Sequence, residues 1–131
     1  MSATWRIRER STFAEVRRRG SRARSGPLAL SWIPLADDDP PKVAYAIGKA
    51  VGTAVVRNRV RRRLRWALDQ LADGLPSGAY LIRVSPGAAS APASVLRTHV
   101  AALVATVARR SDAPQPGRRP LAHLVDDTAS R

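Results

Sequence analysis

The segment from Lys49 to Arg65 constrains this chain more than any other feature, because residues 57–65 contain six arginines and no acid. Apolar residues recur at helical spacing within this run, at Val60 and Leu64, and after it, at Leu68 and Leu71. Such spacing predicts an amphipathic helix with one buried apolar stripe and guanidinium groups on the remaining surface. A surface of this kind repels itself in the free protein and becomes favourable when a polyanion releases counterions onto it. The expected partner is nucleic acid.

The basic charge is concentrated in two patches of the chain. The net charge is +13; residues 1–24 carry eight arginines and two glutamates, and residues 57–65 carry the six arginines described above. Arginine outnumbers lysine by 21 to 2. A genome rich in arginine codons could explain that preference in part, but it does not explain the clustering. The first patch also resembles an organelle-targeting peptide, although Glu9 and Glu15 interrupt it.

Composition limits the other classes of protein. A chain of 131 residues with 44% hydrophobic content is expected to form one compact domain, here residues 1–110, followed by a disordered tail rich in proline at residues 111–131. The chain has no cysteine, so disulfide and thiolate chemistry are excluded. No apolar run approaches the roughly 18 residues of a membrane span, and no hydrophobic signal segment opens the chain. We therefore expect a soluble, cytoplasmic protein.

Three helices are predicted from their ends and their apolar stripes. Thr12 and Glu15 form a capping box that is expected to open the first helix, and Gly20 is a plausible stop. Thr53 is expected to cap the arginine helix, which should end at Asp73 and Gly74. A last helix should follow Pro92, with its stripe formed by Leu96, Val100, Leu103, Val104 and Val107.

Strands are predicted where apolar side chains alternate with small ones. The segments with this alternation are residues 28–33, 43–47 and 80–84, and a further short strand is possible at residues 21–25. The order of elements predicts an α/β domain with a small sheet of about four strands and three helices packed on it.

Residues suited to catalysis or metal binding are scarce, and we expect neither a catalytic residue nor a metal site. His99 and His123 have no nearby cysteine or suitably spaced acid, so both are interpreted as incidental. Asp37, Asp38 and Asp39 end in two prolines and are interpreted as a solvated loop. The segment 48–52 lacks the glycine pattern of a phosphate loop and is expected to be a tight turn from which Lys49 could reach a phosphate. Because only 5% of residues are aromatic, recognition should depend on backbone and shape rather than on extended base stacking.

Several motifs of the sequence resemble those of a known family. Lys49, Gly52, the Ala54-Val55 pair and the Arg57-Asn58-Arg59 block, with the basic run after it, are similar to the signature of the bacterial ribonuclease P protein subunit. The N-terminal Phe13-x-x-Val16 pattern with Gly20 and the strand at 80–84 followed by Pro86-Gly87 are similar to other parts of that family. The similarity spans about residues 6–108.

The resemblance implies a small α+β sandwich with a left-handed βαβ crossover, which would be rare among such connections. It also implies a division of labour. The ribonuclease P RNA, with Mg²⁺, hydrolyses the bond that releases the 5′ leader from precursor tRNA, and the protein binds both RNAs. The protein itself would bind no cofactor, no small-molecule substrate and no membrane.

The resemblance assigns two sets of residues. The basic helix would meet the ribonuclease P RNA through Arg57, Asn58, Arg59, Arg61, Arg62 and Arg65, with Lys49 beside it. Asn58 could bond a ribose or base edge, or could instead hold a neighbouring arginine or the loop backbone. The cleft for the leader would involve Phe13, Arg17 and Ser31. The last two depart from the aromatic residues common in the family, so a cation over the leader is expected in place of stacking.

Two other classes of protein are also compatible with the sequence. A non-enzymatic RNA-binding module, such as a ribosomal protein, would share the charge and the size of the domain. A peripheral membrane protein could use the same arginines on anionic lipids, with Trp66 as an interfacial anchor, but the apolar stripe of the helix is needed for the core. Reconstitution of precursor-tRNA cleavage separates the first alternative from the ribonuclease P hypothesis.

Overall fold

A computed structural model of the protein describes residues 5–7, 10–35 and 40–112. The predicted loop at Asp37, Asp38 and Asp39 and the chain from residue 113 onward lie outside the described residues. The last helix continues to Asp112, two residues past the predicted boundary of the domain. The division into a domain and a tail therefore stays a prediction.

The strands and helices follow in an order close to that predicted. The elements are β1 (Trp5–Arg6), α1 (Arg10–Arg19), β2 (Ser21–Ser25), β3 (Leu28–Pro34), β4 (Lys42–Ile47), α2 (Ala54–Leu71), β5 (Gly78–Val84) and α3 (Ala93–Asp112). Short 3₁₀ turns at Lys49–Val51, Ala72–Gly74 and Pro86–Ser90 connect them. The possible strand at 21–25 is present as β2, and a two-residue edge strand, β1, was not predicted.

The strands form one mixed sheet in the order β1-β4-β5-β3-β2. β4 and β5 are parallel and adjacent, and α2 connects them, so these three elements form a βαβ unit. β3 is antiparallel to β5, and β2 is antiparallel to β3. The prediction of an α+β fold with three helices and about four strands is confirmed, since only the two-residue β1 exceeds it. The hand of the crossover stays a prediction.

The larger core lies between α2, α3 and one face of the sheet. α2 contributes Val60, Leu64, Ala67 and Leu68, and α3 contributes the predicted stripe of Leu96, Val100, Leu103, Val104 and Val107. The sheet contributes alternate residues, including Leu30, Trp32, Val43, Tyr80 and Ile82. Burial of these side chains provides the main stabilisation of the domain. It also determines which side of α2 remains at the surface.

A smaller core lies on the opposite face of the sheet, under α1. Val16 of α1 is fully buried against Ala79 and Leu81 of β5, and Phe13 packs beside them. Gly20 follows the last residue of α1, and this position requires glycine because a β-carbon would clash with the carbonyl oxygen of Val16 and would lie 3.1 Å from that of Trp32. The sheet is therefore covered by α2 and α3 on one side and by α1 on the other.

The predicted start of α2 is confirmed, whereas the α-helix ends at Leu71, two residues before the predicted Asp73. The predicted start of α1 is wrong. The hydroxyl of Thr53 accepts a hydrogen bond from the backbone amide of Val56 at 3.3 Å, and the 3₁₀ turn after α2 ends at Gly74. α1 begins at Arg10, so Thr12 lies within its first turn and is not its N-cap. The Glu15 carboxylate forms ion pairs with Arg18 and Arg19. A carboxylate among so many arginines finds stronger partners than a backbone amide.

Candidate nucleic-acid interface

The connection from β4 to α2 places Lys49 at the surface beside the start of the arginine helix. Lys49 is exposed in the first 3₁₀ turn, and Gly52 follows with a φ of +152°. The Gly52 carbonyl accepts a hydrogen bond from Nε of Arg57 at 3.2 Å. The first arginine of the helix thus fixes the turn before it. As predicted, the segment is a tight turn between a strand and a helix.

The six arginines of residues 57–65 have different environments. Arg62 and Arg65 are exposed, whereas Arg57, Arg59, Arg61 and Arg63 are half-buried. No hydrogen bond or salt bridge joins the side chain of Arg62 to any residue in the described part of the chain. Arg63 differs from the others, because its Nη1 donates to the carbonyl oxygen of Ala91, just before α3. Arg63 therefore faces the protein. The periodicity of the sequence does not distinguish this structural arginine from the exposed arginines beside it.

Asn58 takes one of the two roles that the sequence left open. Its Oδ1 accepts a hydrogen bond from Nη1 of Arg61 at 2.7 Å. Asn58 is exposed and lies one turn before Arg61 on the same side of α2. In this structure Asn58 therefore orients an arginine, and its amide NH₂ group remains a possible donor to a ligand.

Arg59 carries a donor that its own protein does not satisfy. Its Nε atom is buried and has no hydrogen-bond partner among the described residues. An unpaired buried donor is unfavourable, and such exceptions in a folded protein call for an explanation. A long side chain can relieve this by extending toward an acceptor outside the protein.

Arg65 lies near Tyr45 of β4. Burial raises the pKa of the Tyr45 hydroxyl to about 12, while the charge of Arg65 lowers it and that of Asp69 raises it. Lys49, Arg62 and Arg65 are exposed, so the cationic surface of α2 extends from the turn before the helix into its second half.

The predicted leader residues all lie on the α1 side of the sheet. Phe13 and Arg17 are four residues apart and lie on the same side of α1. Phe13 is half-buried in the smaller core and Arg17 is exposed. Ser31 is directly opposite Leu81 in the ladder between β3 and β5, so it shares the face that α1 covers. Only 5% of Ser31 is exposed, which leaves Arg17 as the most accessible of the three.

Three further arginines on this face were not singled out in the sequence. Arg22 pairs with Ser31, and Ser31 with Leu81, in one row across β2, β3 and β5. In the next row Arg24 pairs with Ala29, and Ala29 with Arg83. Arg22, Arg24 and Arg83 are exposed. The alternation of arginines at 22 and 24 hinted at a common face, but only the register of the strands brings Arg83 beside them.

The described residues contain no cluster of acids or histidines that could hold a metal ion. His99 has a structural contact, since its Nδ1 lies 2.8 Å from the hydroxyl of Ser25. Within the same described ranges, no helix combines the length and the apolar character needed to cross a membrane. The two arginine-bearing surfaces are the main chemical features of the described residues.

Comparison with known families identifies the fold that carries these surfaces. The family model for ribonuclease P matches residues 1–108, which include α1, the whole sheet and α2. The chain belongs to the ribonuclease P protein family. Both arginine-bearing surfaces lie within the matched residues, so they are parts of the ribonuclease P protein domain rather than additions to it.

Solved structures of ribonuclease P proteins share this fold. The protein from Staphylococcus aureus superposes with a TM-score of 0.69 at 14% identity, covering 82% of this chain and 95% of that one. The protein from Thermotoga maritima superposes with a TM-score of 0.67 at 15% identity, covering 79% and 96% of the respective chains. A search of the curated proteins found no significant match. The fold is therefore retained at very low sequence identity.

Proposed function

We propose that this chain is the protein subunit of ribonuclease P, which binds the catalytic RNA through α2 and the 5′ leader of precursor tRNA on the α1 side of the sheet. The subunit promotes endonucleolytic removal of the leader to give the mature 5′ end of tRNA. The observation that carries this proposal is the exposed cationic surface of α2 within a ribonuclease P protein domain. The partner RNA, with Mg²⁺, performs the chemistry, and the protein binds no cofactor of its own.

The arrangement of the two surfaces supports this division of labour. α2 and α1 pack on opposite faces of one sheet. A catalytic RNA on α2 and a leader beside α1 would therefore be held by one rigid domain without competing for the same arginines. Guanidinium groups suit both contacts, because their planar forks bind phosphate oxygens bidentately and stay charged at all relevant pH values. By offsetting repulsion between two polyanions, the protein should lower the salt and Mg²⁺ that the RNA alone requires.

The side chains of α2 also support an electrostatic contact. Arg62 lacks a partner within the described part of the chain, and Nε of Arg59 is an unsatisfied donor. Both could bind phosphates without breaking a described hydrogen bond of the protein. Arg63 could not, since it already holds the segment before α3. The helix therefore offers a matched pair of adjacent arginines for an experiment.

The test compares Arg62→Ala with Arg63→Ala in binding to the ribonuclease P RNA over a range of salt concentrations. Loss of one phosphate contact should reduce the log–log salt slope by about 0.7–0.9 for Arg62→Ala. The slope of Arg63→Ala should match that of the unchanged protein. Equal salt slopes for all three proteins would show that α2 does not contact the RNA, and would reject the proposal.

Reconstitution tests the activity itself. Adding the protein to the ribonuclease P RNA at low Mg²⁺ should increase cleavage of precursor tRNA at the 5′ end. Binding of the RNA without any increase in cleavage would instead favour a non-enzymatic RNA-binding module.

A further inference from the structure

Trp66 is an aromatic residue that the folded domain leaves at the surface. Its side chain is 48% exposed, although it belongs to a helix with a well-filled apolar side. It follows Arg62 by one turn and Arg59 by two, so these three residues follow one another along one side of α2, where Arg62 is exposed and Arg59 is half-buried. Trp66 is not among the side chains that form the core, and about half of its large apolar ring is open to solvent within the cationic surface.

The part of α2 that carries Trp66 is held in place by hydrogen bonds to α3 and to the segment before it. Arg63, three residues before Trp66, donates to the carbonyl of Ala91, and Gln70, four residues after it, accepts a hydrogen bond from Nε of Arg97 at 2.8 Å. These contacts tie α2 to α3 both before and after Trp66. The ring thus projects from a fixed helix rather than from a mobile loop, as a binding platform should.

The charges around Trp66 select the kind of partner. An apolar protein surface that covered the ring would also remove water from Arg62 without giving it a counter-charge, which is strongly unfavourable. RNA supplies both components, because an unpaired base has a π-face and its flanking phosphates are anionic. Asp69, three residues after Trp66, adds one negative charge, which the exposed Arg62 and Arg65 outnumber.

We propose that Trp66 stacks on one unpaired nucleobase of the catalytic RNA, while Arg62 and Arg59 bind the phosphates that flank this base. The inference rests on the proposed function and adds a base contact to an interface otherwise made with phosphates. The base would come from a loop or bulge, since a base in a regular duplex offers no free face. One such platform is compatible with the low aromatic content of the chain, which excludes only extended stacking.

The first test measures binding of Trp66→Leu and Trp66→Phe to the ribonuclease P RNA at several salt concentrations. Trp66→Leu keeps an apolar side chain but has no π-face, so its dissociation constant should rise about 5- to 150-fold. Trp66→Phe should recover most of that loss. The salt slope should be unchanged in both, because no phosphate contact is removed. Val95→Ala is the control, since Val95 is 41% exposed on α3, outside the arginine helix, and its truncation should leave affinity unchanged.

A spectroscopic test reports the stacking directly. Binding of the RNA should quench part of the tryptophan emission of the protein, and this part should be missing in Trp66→Phe. The measurement uses a Trp5→Phe background, because the chain has a third tryptophan at position 5. Trp32 is buried and should contribute little to the change.

The outcomes separate this inference from the proposed function. A reduced salt slope for Arg62→Ala together with normal affinity for Trp66→Leu would reject the stacking and leave the helix in the interface. Equal loss in Trp66→Leu and Trp66→Phe, or quenching that persists in Trp66→Phe, would also reject it. Self-association of the free protein that Trp66→Leu abolishes would show that the ring contacts a second copy of the chain, and would overturn the proposal.

Discussion

Nη1 of Arg63 lies 2.8 Å from the carbonyl oxygen of Ala91, and this hydrogen bond joins the middle of α2 to the segment that leads into α3. Arg62, the preceding residue, is exposed and points to another side of the helix. Two neighbouring arginines in one basic run therefore have separate tasks. One stabilises the packing of the two helices, and the other is available to a ligand.

Replacement of Arg63 should reduce stability more than replacement of Arg62. A hydrogen bond from a charged donor contributes about 1.5–3 kcal/mol, so Arg63→Ala should lower the free energy of unfolding by about that amount. Arg62→Ala should change it by no more than about 0.5 kcal/mol. Urea denaturation of both variants measures the difference. Equal stabilities would mean that the Arg63 contact is weak in solution.

Gly52 should not tolerate a side chain, whereas Gly48 should. Gly52 has a φ of +152°, and a β-carbon there would lie 2.8 Å from a side-chain carbon of Val56. Gly52→Ala should therefore cost about 1–3 kcal/mol of stability. Gly48 has a φ of −82° and open space around its α-carbon, so Gly48→Ala is the control and should be nearly neutral. Thermal unfolding of both variants checks the contrast; a similar decrease in both would refute the strain at Gly52.

Alkaline pH should destabilise the protein through Tyr45. The pKa of its hydroxyl is raised from 10.0 to about 12 in the folded protein, chiefly by burial. Between these values the unfolded chain loses the proton more readily than the folded one, so the free energy of unfolding should fall as the pH rises from about 10 to 12. Tyr45→Phe should reduce this dependence, leaving a contribution from Tyr80, whose pKa burial also raises. Denaturation curves at several pH values measure this dependence. If the free energy of unfolding of Tyr45→Phe fell as steeply with pH as that of the unchanged protein, the prediction would be wrong.

Arg17 should affect substrates that carry a leader. Arg17→Ala or Phe13→Ala should weaken binding of precursor tRNA to the reconstituted particle more than binding of mature tRNA. Arg18→Ala is a control of equal charge, because Arg18 pairs with Glu15 and lies on another side of α1. Parallel measurements of both affinities would reveal the preference. Equal losses for the two RNAs would reject the leader assignment on α1.

The features predicted correctly from the sequence are mainly local ones. The Thr53 cap, the apolar side of α2 and the stripe of α3 follow from contacts between residues three or four apart, which the helical period makes visible in the sequence. The start of α1 was predicted wrongly, since a capping box is a weak local signal and Glu15 binds nearby arginines instead.

The features that required the tertiary structure are contacts between distant segments. Arg63 reaches Ala91 across 28 residues, and Arg83 joins Arg24 on one face only through the register of three strands. Nothing in a periodic sequence says which arginine meets a neighbouring element or which aromatic ring the core omits. Charge and helical period therefore predicted an RNA-binding helix, but the packing of α2 against α3 decided which of its side chains remain exposed.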